Sequence, residues 1–249
     1  MKKSNLLVWC LMVFPVLASK PYIFDGETVK DEFRHCVSLG VKCKRGNRDS
    51  SWGCGASILN QQVLLTAAHC LYGCQNIRVV ISVGNIDRQK GEKYGLSHFK
   101  IHEKYSHSSL INDIAIIITK RAIDLNSRSG RVAIIVKPPS APAHVAGWGR
   151  TNLPFETTEL QFIKQVVINN KKCTEEIGEK PRQTICAKSP DDRGRPAKGD
   201  SGSALVVRYY IQIGIVSYNA PRTNMVVYTF VPKFLNWIKN NSQELYCAD

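Results

Sequence analysis

The stretch GRPAKGDSGSALVV occupies Gly194 to Val207 and joins two kinds of sequence. Gly199 and Gly202 bracket Asp200 and Ser201, a composition that lets a backbone reverse sharply. The run that follows, SALVVRY, is rich in β-branched residues and reads as a strand. A hydroxyl held on a tight turn at the mouth of a strand is the setting of an activated serine nucleophile. A serine reacts this way only when a neighbouring base takes its proton, so the rest of the chain must supply that base and whatever holds it.

Working outward, short runs rich in β-branched residues recur about every ten residues and are separated by turn residues. They include QVLLT, IRVVISV, DIAIIIT, RVAIIV, LQFIKQVVI, IQIGIVSY and MVVYTF. The pattern predicts an all-β chain of antiparallel sheets closed into barrels or a sandwich. The polar run KRAIDLNSRSGR, Lys120 to Arg131, is the expected linker between two β halves. Only VPKFLNWIKNN has a helical period, with Phe234, Trp237 and Ile238 on one stripe.

Two further segments supply a base and an orienting acid. TAAHC places His69 after a β-like run, and NDIAIII places Asp113 at the mouth of a very apolar strand. An imidazole that accepts a serine proton needs its other nitrogen held by a buried acceptor, so that the correct tautomer faces the hydroxyl. The glycines beside Ser201 also allow amide N–H groups to point at a developing oxyanion.

The chain has 249 residues and opens with MKKSNLLVWCLMVFPVLASK. Two lysines, an apolar run and small residues make a secretory signal peptide, expected to span 1–19, with a short propeptide at 20–22. No later segment approaches a membrane span. Of nine cysteines, Cys10 leaves with the signal peptide, and eight in an oxidising compartment predict disulfides. Net charge is +14, and removing Lys2 and Lys3 leaves +12. That balance keeps a secreted protein soluble and also favours an anionic macromolecule at a basic surface. Neither zinc-type cysteine pairs nor an RNA-binding aromatic signature supports a nucleic-acid partner.

TAAHC, NDIAI, AGWG, GDSGS, GIVSY and VYTFVPKFLNWI occur in an order that resembles the chymotrypsin–trypsin family of serine proteases of arthropod type. The resemblance runs from about Ile23 to Trp237. It implies two antiparallel six-stranded β-barrels with a C-terminal helix, over about 23–125, 126–232 and 233–242 of a 23–249 protease domain. It implies His69 as base and acid, Asp113 as orienter, Ser201 as nucleophile, and the N–H groups of Gly199 and Ser201 as the oxyanion hole. Ser217 matches the position whose backbone pairs with bound peptide. Cys54 with Cys70, and Cys173 with Cys186, match family bridges; the first, closing about 15 residues, is worth roughly 3 kcal/mol. The pairing of Cys36, Cys43, Cys74 and Cys247 stays open.

The specificity pocket departs from the family. Trypsin-like members carry an aspartate six residues before the nucleophile; Arg195 stands there and would repel basic side chains. One bridge of the pocket is missing, since Ala197 takes its first cysteine position. Asn219 and Val226 replace wall glycines. Either Arg195 faces inward and selects an acidic or small side chain, or Arg195, Asn219 and Val226 occlude the slot. These changes are similar to those of degenerate mite paralogues. In the family, Ile23 would become the new terminus and its ammonium would pair with Asp200, but Tyr22 precedes Ile23 and Lys20 is followed by Pro21.

No metal or other cofactor is expected. IHEKYSH, with His102, Glu103 and His107, reads as a solvated loop, and Asn240 opens an N-x-S sequon for glycan. The expectation is a secreted, monomeric serine endopeptidase zymogen acting on protein or peptide substrates, with a preference that is not trypsin-like. The alternative is a catalytically impaired homologue that binds or decoys partners.

Overall fold

The computed structural model describes residues 27–28, 32–46, 48–151, 158–192 and 194–246. Ile23, Cys247, the leader expected at 1–19 and the propeptide expected at 20–22 lie outside the described residues.

Alternation along the first half builds a closed ring. The strands are β2 (Cys36–Arg45), β3 (Arg48–Ile58), β4 (Val63–Thr66), β5 (Gln75–Val83), β6 (Glu92–Ile101) and β7 (Ala115–Thr119). They pair in the order β2-β3-β4-β7-β6-β5 and return to β2, so no edge is left unpaired. Val37, Leu39 and Val41 fill the interior from β2, opposite Val79, Ile81 and Val83 of β5. β4 and β7 are buried along their whole length, which explains why VLLT and AIIIT are unbroken apolar runs rather than alternating ones. Burying each isoleucine of β7 contributes about 1.5–3 kcal/mol.

The second ring comprises β8 (Ala143–Gly147), β9 (Gln161–Ile168), β10 (Thr184–Lys188), β11 (Ala204–Val207), β12 (Ile211–Asn219) and β13 (Val226–Phe230). Pairing runs β9-β10-β13-β12-β11-β8, and β8 closes on β9. A two-residue strand, β1 (Glu27–Thr28), adds to β9 at Phe162 and Gln161. Glu27 and Thr28 are therefore tied to the second barrel, although the first barrel follows them in sequence.

The C-terminal stripe crosses the other way. A 3-10 turn at Val231–Phe234, with Pro232 fixing its start, leads into α2 (Leu235–Tyr246). Val231, Phe234 and Ile238 enter the core of the first barrel. This helix begins two residues later and ends four residues later than the sequence predicted. His102 does not sit in a solvated loop: its ring packs 5.0 Å from Trp237 and 5.5 Å from Phe234, and Trp237 Nε1–H donates to Glu103 at 2.8 Å.

A helix that the periodicity did not predict, α1 (Asn170–Ile177), is capped by Asn169, which accepts from the Lys172 N–H, and ends at Gly178 with φ 76°. RVAIIV forms no strand. Ala133 accepts from Gln212 and donates to Tyr210 O while Ile135 and Val136 are exposed, and Pro138, Pro139 and Pro142, which lack the N–H a ladder needs, follow directly. This segment is the crossover between barrels.

Three disulfides hold the described residues. Cys54–Cys70 ties β3 to the histidine turn, Cys173–Cys186 ties α1 to β10, and Cys43–Cys74 ties β2 to the approach to β5. Cys36 is a buried thiol with no disulfide partner among the described residues.

The barrels meet backbone to backbone. The Gly55 N–H donates to Ser201 O at 2.7 Å, and Ser57 Oγ–H donates to Gln212 Oε1 at 2.7 Å across the seam. A Cβ on Gly55 would stand 2.0 Å from Ser203 Oγ and 3.0 Å from Ser203 Cα. Gly55→Ala is accordingly expected to lower the urea midpoint by the equivalent of about 1–3 kcal/mol, the usual cost of overpacking. An unchanged midpoint would contradict the close approach.

Candidate active site

The histidine turn begins where β4 ends. Thr66 Oγ1–H donates to Gly55 O at 2.7 Å, fixing the end of β4 against β3. A 3-10 turn, Ala68–Cys70, then projects His69, and Cys70 anchors that turn to β3. The His69 side chain is 20% exposed, so one edge of the ring reaches the cleft.

Asp113 arrives from a loop whose Leu110 and Asn112 take left-handed backbone, with φ of 54° and 55°. Asn112 tolerates that conformation better than most residues and ties the loop back through its Nδ2–H to Lys104 O. The Asp113 carboxylate is fully buried. It accepts the His69 backbone N–H at 2.9 Å, the His69 Nδ1–H at 2.8 Å and the Ser217 Oγ–H at 2.6 Å. Thr229 Oγ1–H reaches the Asp113 carbonyl at 2.8 Å. An ionised carboxylate can only accept, so Nδ1 of His69 carries the proton of this contact, and in the neutral ring the lone pair then lies on Nε2.

Ser201 sits on the turn between Gly199 and Gly202. Gly202, at φ 85°, leaves no room for a side chain: a Cβ would fall 2.4 Å from Gly55 O and 2.3 Å from Thr66 Oγ1. Gly199, at φ 106°, lies against Gly149 in the same manner. Around this turn the Asp200, Gly202 and Ser203 N–H groups donate to Ala197, Val216 and Asp200 carbonyls. The N–H groups of Gly199 and Ser201 have no acceptor among the described residues. Two unspent donors on the serine turn can stabilise an oxyanion.

The sequence model of the Trypsin family matches residues 24–238. The chain belongs to the trypsin family. It is 31% identical over 221 residues to a chymotrypsin of Phaedon cochleariae, covering 84% of this chain and 79% of that one. It is 31% identical over 208 residues to trypsin beta of Drosophila erecta, covering 78% and 81%, and 29% identical over 204 residues to human cathepsin G, covering 79% of each. A solved structure described as HL collagenase shares the fold, with a TM-score of 0.78 at 24% identity over 89% of this chain and 99% of that one. The protein is thus a trypsin-family serine protease.

The pocket residues are placed as follows. Asn219 Nδ2–H donates to Pro196 O at 2.8 Å, and Arg195 Nη1–H reaches Thr223 O at 3.4 Å. The first bond ties the segment before the serine to β12 and the second ties it to the turn between β12 and β13. Val226 is fully buried, paired with Ala187 and Asn219 and packed in one cluster with Val216 and Tyr228. Sequence reasoning took Ser217 for a backbone contact and missed its hydroxyl on Asp113. It also missed Thr66 and Thr229, whose only signal was a hydroxyl inside an apolar strand. Among the described residues no group of three His, Cys, Asp or Glu side chains could hold a metal ion.

Asp200 is buried below the serine. Its carboxylate accepts the Gly149 N–H and the Ala197 N–H, each at 2.8 Å. Burial pushes its carboxyl from the ordinary 3.8 up to about 6, against the smaller downward pull of those amides. The folded state therefore holds this proton more tightly than the unfolded chain. Below pH 3.8 both states are protonated and nothing is lost; as pH rises towards 6 stability falls, and above 6 the buried charge costs about 3 kcal/mol. In the chain that keeps the residues before Ile23, Asp200→Asn should gain stability over the parent by roughly 2–3 kcal/mol between pH 4 and pH 8, read from urea midpoints at each pH. A difference that stays constant across that range would contradict this burial.

Proposed function

We propose that the protein is a secreted serine endopeptidase that cleaves peptide bonds through an acyl-enzyme on Ser201. His69 Nε2 takes the Ser201 Oγ proton as Oγ attacks the scissile carbonyl carbon. The negative charge on the carbonyl oxygen is met by the N–H groups of Gly199 and Ser201. The imidazolium, held by Asp113, gives its proton to the departing amine, and water then repeats the sequence to release the acid. The observation that carries this reading is the His69 Nδ1 to Asp113 contact of 2.8 Å on a fully buried carboxylate. No part of the chemistry asks for a metal or organic cofactor.

A preference for lysine or arginine is the least compatible specificity, because Arg195 stands where a counter-charge would be needed. Val226 in the packed core beside Tyr228 supports a shallow slot that takes small side chains. The same burial favours a second reading: a protease homologue whose nucleophile is sound but whose pocket does not seat peptide, so that it holds partners without cleaving them.

The leader of 1–19, the disulfides and the sequon at Asn240 support export and glycosylation. Asn240 is exposed on α2, with Ser242 Oγ–H bonded to Ile238 O. Activation follows from release of a chain beginning at Ile23, whose ammonium would neutralise the Asp200 carboxylate. Amino-terminal sequencing of the active secreted form should read Ile23 first; activity in a form that begins at Ser19 or Lys20 counts against this route.

A fluorophosphonate probe on the activated protein tests the whole reading. It should label the parent and not Ser201→Ala, and Asp113→Asn should label slower by about four orders of magnitude, as its amide would favour the wrong tautomer. Labelling with turnover of a peptide library supports the endopeptidase, and labelling without turnover supports the binding homologue. Equal labelling of the parent and Ser201→Ala would remove both.

A further inference from the structure

The serine turn has two sides. β12, from Ser217 to Asn219, offers one side the strand edge along which a peptide entering the site would pair. The opposite side, beyond Gly199, is a depression of about 140 Å³. Its walls are Trp52 and Gly53 of β3, the segment Trp148–Arg150 and the pair Lys198–Gly199, with Arg88 at its margin. A peptide that runs along β12 and crosses the oxyanion donors must place the residues after its scissile bond here. Gly53 lies against Gly199, since a Cβ on Gly53 would be 3.9 Å from Gly199 Cα, so this depression is continuous with the serine turn.

Its charge is one-sided. Arg88, Arg150 and Lys198 line it, and no carboxylate among the described residues does. Arg150 and Lys198 are exposed, and they are held side by side because the Arg150 N–H donates to Lys198 O at 2.8 Å. Ser51 also lines a second depression with Lys42, Lys44 and Arg78, where Asp49 is the one acid among the described lining residues. Lys42 stands directly opposite Arg78 in the β2–β5 register. Like charges in facing positions destabilise a sheet, and an anion lying between them removes that repulsion. The Cys43–Cys74 disulfide fixes this arrangement, joining the two strands beside the pair.

We propose that this half of the cleft is an acidic-peptide subsite, which selects substrates carrying aspartate or glutamate in the first few positions after the scissile bond. Lys198 and Arg150 take the first acidic side chain, and the Lys42–Arg78 pair takes those further along. The inference rests on the peptidase reading for its place in catalysis, but the binding itself needs no bond cleavage. It also gives the excess positive charge a location beside the chemistry, distinct from Arg195 on the other side of the serine.

Binding and turnover are read separately. Fluorescent peptides of one sequence, carrying Asp-Glu, Ala-Ala or Lys-Lys after the cleavable bond, are titrated by anisotropy into the Ser201→Ala protein. The acidic peptide should bind tighter than the neutral one by about tenfold at low salt, and the gap should shrink as salt screens the cations. Lys198→Glu and Arg150→Glu should each reverse the order of acidic and basic peptides, whereas Lys198→Arg should keep it. Equal affinities for the three peptides, or a preference that survives both reversals, would overturn the proposal. So would tight binding of a sulfated oligosaccharide with no discrimination among the peptides, which would mark a polyanion surface. If the acidic peptide binds selectively and the activated parent cleaves none of the three, the subsite stands and the peptidase reading falls.

Discussion

The structure depends on one close approach, where Gly55 of the first barrel meets Ser201 and Ser203 of the second with no side chain between them. That contact lets the Gly55 amide bond the Ser201 carbonyl at 2.7 Å, while the Gly55 carbonyl takes the Thr66 hydroxyl at the root of the histidine turn. A single glycine thereby fixes the serine of one barrel relative to the histidine of the other. Neither barrel could do this alone, because His69 and Asp113 come from the first and Ser201 from the second. The strap β1 and the helix α2 reinforce the pairing by crossing from one end of the chain to the distant barrel.

The two buried acids at the centre differ in how completely they are hydrogen-bonded. Asp113 is removed from water, yet three donors satisfy its carboxylate and a fourth its carbonyl. Such a group is costly to leave unpaired, and this is why its position is so strictly defined. Asp200 is the contrasting case. It is equally buried but has only two backbone donors on its carboxylate, so the proton is held up to about pH 6. One buried acid is complete in the described residues, and the other invites a cation.

Much of this was legible before any coordinates. The β-runs, the linker near Lys120, the histidine, aspartate and serine segments and the apolar stripe of the last helix all have strong local signals: period, turn glycines or motif order. The failures have physical causes. α1 has one buried apolar residue, Cys173, so its period is faint, and only the Asn169 cap and Gly178 announce it. RVAIIV has strand composition but occupies the crossover, where prolines and the neighbouring barrel decide the backbone. His102 reads as a polar loop residue until Trp237 packs on it. The pairing of Cys43 with Cys74 could not be chosen among four cysteines, because it depends on the β2–β5 register. The Ser217 hydroxyl on Asp113 was hidden for the same reason, being a contact between residues 104 positions apart.

The cleft that results is asymmetric. On one side of the serine turn Asn219 and Arg195 bond across to their neighbours, and on the other Arg150 and Lys198 stand exposed. Both features have meaning only if the imidazole of His69 faces the serine as a base. Nitrogen NMR of the ring, in protein labelled at histidine and kept at pH 8, reads that directly. The account predicts a proton on Nδ1 and a bare Nε2, with the Nδ1 proton moved by Asp113→Asn. A neutral ring protonated on Nε2 would contradict it.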